Sequence, residues 1–154
     1  MIKLLKLSII IFFLKLSFLK AEIIKPSIEI DPAQVVKIQL TGLMKNDSPY
    51  KDKGIEQTWE FAHPNNKKFT GPLNKFKEMI KGDSYKMLID HENHEVKQIF
   101  SNNEVVIFEV VIMDIDKKYF KFKWQVEKYL NNGPLENCWL TTVVSQPVPM
   151  GASI

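Results

Sequence analysis

The feature that most constrains this chain is a change of hydrophobic period near Ser84. Before it, apolar residues recur three and four positions apart; beyond it they alternate, in short runs separated by turn signals. A chain that places its helices first and its strands last lacks the interleaved helices that a parallel sheet needs as crossovers. It therefore belongs to the α+β class, with helices laid on an antiparallel sheet. No internal repeat or low-complexity block interrupts this order.

Three helices are predicted. In DPAQVVKIQLTGLMKND, Asp31 caps, Pro32 suits the first helical position and Gln34 can reach back to close a capping box. Val35, Val36, Leu40, Leu43 and Met44 form its apolar stripe, and Gly42 weakens it without ending it. The second, in GIEQTWEFA, puts Ile55, Trp59 and Ala62 on one face and is stopped by Pro64. The third, PLNKFKEMIKG, has Pro72 near its first turn, Leu73, Phe76 and Ile80 on one face, and Gly82 placed for a left-handed C-terminal position.

The strands follow. Asn102-Asn103 between KQIFS and EVVIFEVVI predicts a tight hairpin, because asparagine tolerates positive φ. DIDKK and NNGP mark the next two turns. From Tyr119 to Glu127, Phe120, Phe122, Trp124 and Val126 point one way and Lys121, Lys123, Gln125 and Glu127 the other, so one face meets a core. In VVIFEVVIM both alternating sets are apolar but for Glu109. Both faces should then be covered, one by helices and the other by a second layer, a second subunit or a ligand.

Between the second and third helices, FAHPNNKKFTGPLNKF reads as a corner. Asn65 and Asn66 can bond neighbouring backbone, Thr70 or Gly71 can cap, the prolines fix φ, and Phe61, Phe69 and Phe76 would pin the turn to the core. A phosphate-holding loop built on Lys67, Lys68 and the third helix's N-terminus fits less well. The stretch lacks glycine density, and Pro72 removes an amide donor.

The same residues carry a family likeness. Gly54, Ile55, Trp59, Phe61, Ala62, Pro64, Asn66, Thr70, Gly71, Pro72 and Phe76 resemble the signature of an uncharacterised family known as domain of unknown function 4864. The opening QVVKIQLTGLMKND and the closing CWLTTVV are also similar to that family's ends, so the likeness spans roughly residues 31 to 145. Serine would be expected where His63 stands, a departure that weakens any polar role carried over to that position. The resemblance implies a cone similar to nuclear transport factor 2 and scytalone dehydratase, a strongly bent antiparallel sheet wrapped around N-terminal helices. It implies no particular activity.

The N-terminus, MIKLLKLSIIIFFLKLSFLKA, has the layout of a secretory signal: lysines, a short apolar run and a small residue at Ala21. The expected organisation is a signal over 1–21, a linker over 22–30, one domain over 31–146 and a flexible tail over 147–154. The protein is then exported, to a periplasm, a thylakoid lumen or the cell exterior, with no membrane contact after cleavage; an uncleaved N-terminal anchor is the alternative. Cleavage after Ala21 would remove four of the 21 basic residues and none of the 18 acidic ones, leaving acidic residues ahead by one. Every basic residue is lysine, so the bidentate fork that reads phosphate and guanine is missing, and nucleic acid is not an expected partner. Cys138 stands alone and reads as a small buried hydrophobe.

Chemistry-bearing residues are sparse. DHENHE gathers Asp90, His91, Glu92, His94 and Glu95, but residues three apart on a strand face opposite sides, so the segment reads as a solvated polar turn and no metal is assigned. KKYFKFKWQ separates its lysines and aromatics onto opposite faces, as a half-buried strand does. A cavity between helices and sheet could be lined by Trp59, Phe108, Phe120, Phe122, Trp124 and Trp139. No catalytic residue and no cofactor is assigned. The expectation is a non-catalytic domain that binds an apolar small molecule or a protein partner, including a second copy through the apolar sheet face. The alternative is a small cavity enzyme of isomerase or dehydratase type, for which Glu109 and His63 are the available acid or base.

Overall fold

The computed structural model describes residues 22–152. Residues 1–21, expected as a signal, lie outside the described residues, as do positions 153 and 154. Four α-helices, α1 (Pro32–Met44), α2 (Lys53–Glu60), α3 (Pro64–Thr70) and α4 (Leu73–Lys81), and a 3-10 turn (Lys86–Leu88) run before five strands. These are β1 (Asn93–Ser101), β2 (Val105–Met113), β3 (Lys118–Lys128), β4 (Trp139–Val144) and β5 (Val148–Ala152). The sheet is open and antiparallel, in the order β1-β2-β3-β4, with β5 pairing the other half of β3's edge. The molecule is thus α+β.

Helix α1 forms as its residues dictate. The Asp31 carboxylate accepts from Gln34 N–H while the Gln34 side chain accepts from Asp31 N–H, both at 2.9 Å, and Pro32 opens the first turn. Its buried face, Val35, Val36, Leu40 and Leu43, lies over Val106, Phe108, Val110 and Ile112 of β2 and over Phe122, Trp124 and Val126, which belong to the set that alternation marked on β3. Burial of these eleven side chains, with Ile55, Phe61, Phe76, Ile80 and Leu88, is the main stabilising term.

Helix α2 approaches α1 closely because two glycines face each other. Gly54 N–H donates to Asn46 O at 2.9 Å, and the Gly54 backbone lies directly on the Gly42 carbonyl. Asn46 completes the junction, its side-chain oxygen accepting from Ile55 N–H at 3.1 Å.

Several expectations are corrected. Four helices precede the sheet, where three were predicted, because the stretch read as a corner is itself helical. Pro64 takes the first helical position and the His63 Nδ1 caps by accepting from Asn65 N–H at 3.1 Å. None of α3's residues is buried, so it carries no apolar stripe to announce it. Phe69 is exposed and pins nothing, while Phe61 and Phe76 are in the core. Pro72, not Thr70 or Gly71, precedes α4, and Gly82 ends it in an extended conformation (φ −74°), not a left-handed one. The hairpin at Asn102-Asn103 needs no positive φ: the Asn102 side chain accepts from Glu104 N–H and Val105 N–H and shapes the turn itself.

Residues 22–30 are tied to α2 rather than free of it. Gln57 exchanges two hydrogen bonds with the Ile24 backbone (2.8 and 2.9 Å), and Lys25 pairs with Glu60 at 3.0 Å. At the other end, Val148–Ala152 of the segment expected as a tail pairs with β3, bridged from β4 by Ser145, whose N–H donates to Lys123 O and whose Oγ accepts from Lys123 N–H. Beneath the sheet no second layer is seen among the described residues. Val105, Ile107, Val111 and Met113 on β2's outer face are only half-buried, and Lys121 lies beside Val111 while its ammonium reaches Glu109 at 3.5 Å. Cys138 is buried, and burial pushes its thiol pKa up, so it behaves as the small hydrophobe expected.

Candidate functional site

The helices and sheet leave a cavity of about 200 Å³ between α1, α2, α3, α4, the 3-10 turn and β4. For comparison, about 150 Å³ of dry apolar space suffices for benzene. Its apolar wall comes from Leu43, Phe76, Met79, Ile80, Leu88 and Trp124. Asn66 and Thr70 of α3, Tyr85 and the Thr141–Val144 stretch of β4 complete it.

One end of the cavity is a closed polar set. Gln39, on α1's buried face, donates from Nε2 to Thr58 O at 3.0 Å. Its Oε1 accepts from Thr141 Oγ1 at 2.6 Å and from Trp124 Nε1 at 3.0 Å, and the Trp124 N–H is also 3.3 Å from Thr141 Oγ1. Among the described residues no buried side-chain polar atom lacks a partner. The set is spent on holding two helices and two strands together. The polar groups of the lining outside this set include Asn66, whose side-chain amide bonds no other described residue, and the Tyr85 hydroxyl, which donates to Val144 O at 3.2 Å and accepts from Gln146 Nε2 at 3.3 Å.

Among the described residues Tyr85 is the sole titratable group lining the cavity, and burial raises its pKa, so it remains neutral; none of them brings a carboxylate or imidazole to this space. Glu109 lies on the opposite face of the sheet against Lys121. His63 caps α3 with its ring 5.4 Å from that of Tyr129, on the other side of β4's end; burial lowers its pKa, against Glu127, which raises it.

Of the six aromatics proposed to line a cavity, Trp124 does so. Phe108 instead borders a groove between α1 and β1, Phe122 is core, and Phe120 packs half-buried beside β5. Trp59 lies against Phe76 at 5.0 Å between ring centroids, with the Lys67 ammonium 5.3 Å over its ring, and Trp139 sits beneath Lys128. The signature residues divide between wall and frame. Asn66, Thr70 and Phe76 line the cavity, while Phe61 is core and trades backbone hydrogen bonds, with His63, against Thr141. Gly54 makes the α1–α2 contact, and Pro64, Gly71 and Pro72 bound α3. A Cβ on Gly71 would meet Lys67 O at 2.5 Å and the Trp59 ring at 2.7 Å. Sequence reading missed Gln39, Thr58, Tyr85 and Thr141. Gln39 had a signal, a lone polar residue inside the helical stripe of Val35, Val36, Leu40 and Leu43.

DHENHE is a solvated turn only in part: Asp90, Glu92, Asn93 and Glu95 are exposed, but the two histidines are not. Asp90 adopts φ 54°, its N–H donates to Leu43 O at 2.9 Å, and the reversal folds His94 at the start of β1 back onto His91, which is 1% exposed. His91 Nδ1 is 2.7 Å from Leu88 O and its Nε2 is 2.7 Å from His94 Nδ1. A carbonyl only accepts, so Nδ1 of His91 carries the proton, its Nε2 accepts, and His94 donates from Nδ1 and presents a bare Nε2. Among the described residues no third His, Cys, Asp or Glu joins them in a metal-sized cluster.

Burial lowers the pKa of both histidines, opposed at His91 by the Leu88 carbonyl and Asp90 and reinforced at His94 by Lys37. The unfolded chain therefore takes up protons first as pH falls. Their contribution is complete above the unfolded value of about 6.5 and is lost as pH drops toward the lower folded values. Urea midpoints measured between pH 7.5 and 5.5 are expected to decline with pH, and the decline should flatten in His91→Gln; an unchanged slope in that variant would refute the assignment.

Comparison of the chain with protein-family models, with curated proteins and with solved structures gives no match.

Proposed function

We propose that the protein is a non-catalytic binding domain that holds a small, largely apolar molecule, the size of one aromatic ring or a short acyl chain, in the cavity between helices and sheet. The observation that carries this reading is the lining: an apolar wall, an unengaged Asn66 amide, the neutral Tyr85 hydroxyl and, among the described residues, no group able to give or take a proton near neutral pH. The same lining weighs against an isomerase or dehydratase. A proposed kinship with the cone-shaped proteins similar to nuclear transport factor 2 is supported by helices that precede an antiparallel sheet and pack on one of its faces. The N-terminal layout supports export as the setting in which such a ligand is met.

Trp124 reports on occupancy because its indole forms part of the wall. Titration with small aromatic and medium-chain acyl probes is expected to quench or shift its emission saturably. Met79→Trp, which fills the cavity from its half-buried rim, should abolish the response while the melting temperature stays within about 3 °C of the parent. Saturable binding that survives this filling, or no binding of any probe class, would overturn the proposal.

A further inference from the structure

We propose that the protein forms a two-fold dimer by pairing its β1 edge with that of a second copy, antiparallel and centred on Val96. Strand β1 ends the sheet, with β2 on one side and nothing among the described residues on the other. Nine residues of open edge are a ready template for another strand.

The inward face of β1 is unfinished. Val96 is registered opposite the fully buried Val110 and points to the helix side, yet it is 38% exposed. Helix α1 reaches β1 but does not fill the space above it, leaving a groove of about 410 Å³ bordered by Ala33, Lys37, His94, Val96, Gln98 and Phe108. A two-fold axis normal to the sheet puts both copies' helices on the same side and brings the partner's Val96 beside Val96. The two open grooves then become one trough between two α1 helices.

Charge selects the register. Side chains stay on matching faces only when the axis passes through a residue. Through Glu95 it would set that carboxylate against the partner's Glu95, and through Lys97 it would set two ammonium groups together. Through Val96, Glu95 meets the partner's Lys97 and Lys97 meets the partner's Glu95. Neither group forms an ion pair within its own chain among the described residues. On the inward side the same register sets His94 opposite the partner's Gln98, and the bare Nε2 of His94 accepts from its amide. The bulge between Gln98 and Phe100 ends the matched stretch and keeps the pairing short. Lys97 repels strands in general and is neutralised by this one, which makes the edge selective for its own copy.

Native mass spectrometry and sedimentation equilibrium of the purified protein test the idea. The parent should dimerise, and Glu95→Lys and Lys97→Glu should each raise the dimer Kd by about tenfold or more, because each turns both symmetry-related pairs into like charges. The double variant E95K/K97E should recover the parent's affinity. A parent that is monomeric at all concentrations, a dimer indifferent to the single reversals, or a double variant no better than the singles would each overturn it. Both positions are exposed and remote from the cavity, so probe titration of the monomeric variants keeps this outcome separate from that of the binding proposal.

Discussion

Gly54→Ala is expected to lower stability by about 3 kcal/mol and the melting temperature by roughly 10 °C. A Cβ there would stand 2.5 Å from the Gly42 carbonyl carbon, closer still to its oxygen, and 2.9 Å from Asn46 Cα. All of these are backbone atoms, so no side chain can swing away to make room. Relief requires α2 to lift off α1, which would also stretch the bond from Gly54 N–H to Asn46 O and open the cavity wall at Thr58. The facing glycine is the control. A Cβ on Gly42 meets Gln57 Cβ and Gly54 O at 3.4 Å, ordinary contact, and alanine is the better helix former there by about 0.5–1 kcal/mol. Gly42→Ala should therefore be neutral or slightly stabilising. Thermal melts giving equal losses at the two positions would contradict the helix contact described.

The second large effect is expected at Gln39. Gln39→Leu strips Thr58 O of its donor, leaves the Thr141 hydroxyl without its 2.6 Å acceptor, and leaves Trp124 Nε1 with only the longer 3.3 Å bond. Each orphaned buried group costs about 1–3 kcal/mol, so a loss of about 2–4 kcal/mol is expected in urea titrations, together with altered Trp124 emission. Thr141→Val on this background should add less than it does alone, because the hydroxyl it removes has already lost its main partner. Additive losses would mean that the two side chains do not act as one set.

Much of this was legible in local pattern. The capping box of Asp31 and Gln34 and the alternation of Phe120, Phe122, Trp124 and Val126 can be read at short range, and the structure places both as read. Helix α3 was not legible, because it buries none of its residues and periodicity reports only on burial. The His91–His94 pair depends on a left-handed Asp90, whose cue is invisible without knowing that Leu43 O waits for its N–H. The cavity's polar end joins Gln39 to Thr141, 102 residues apart, a separation at which sequence pattern carries no information on contact.

That long span has a consequence for how the chain comes into being. Phe61, His63 and Gln39 all find their partners on Thr141, so the helical half stays unlatched until β4 has been made. With so late a fastening, the tie between the first helices and the sheet is completed only by residues near the end of the chain.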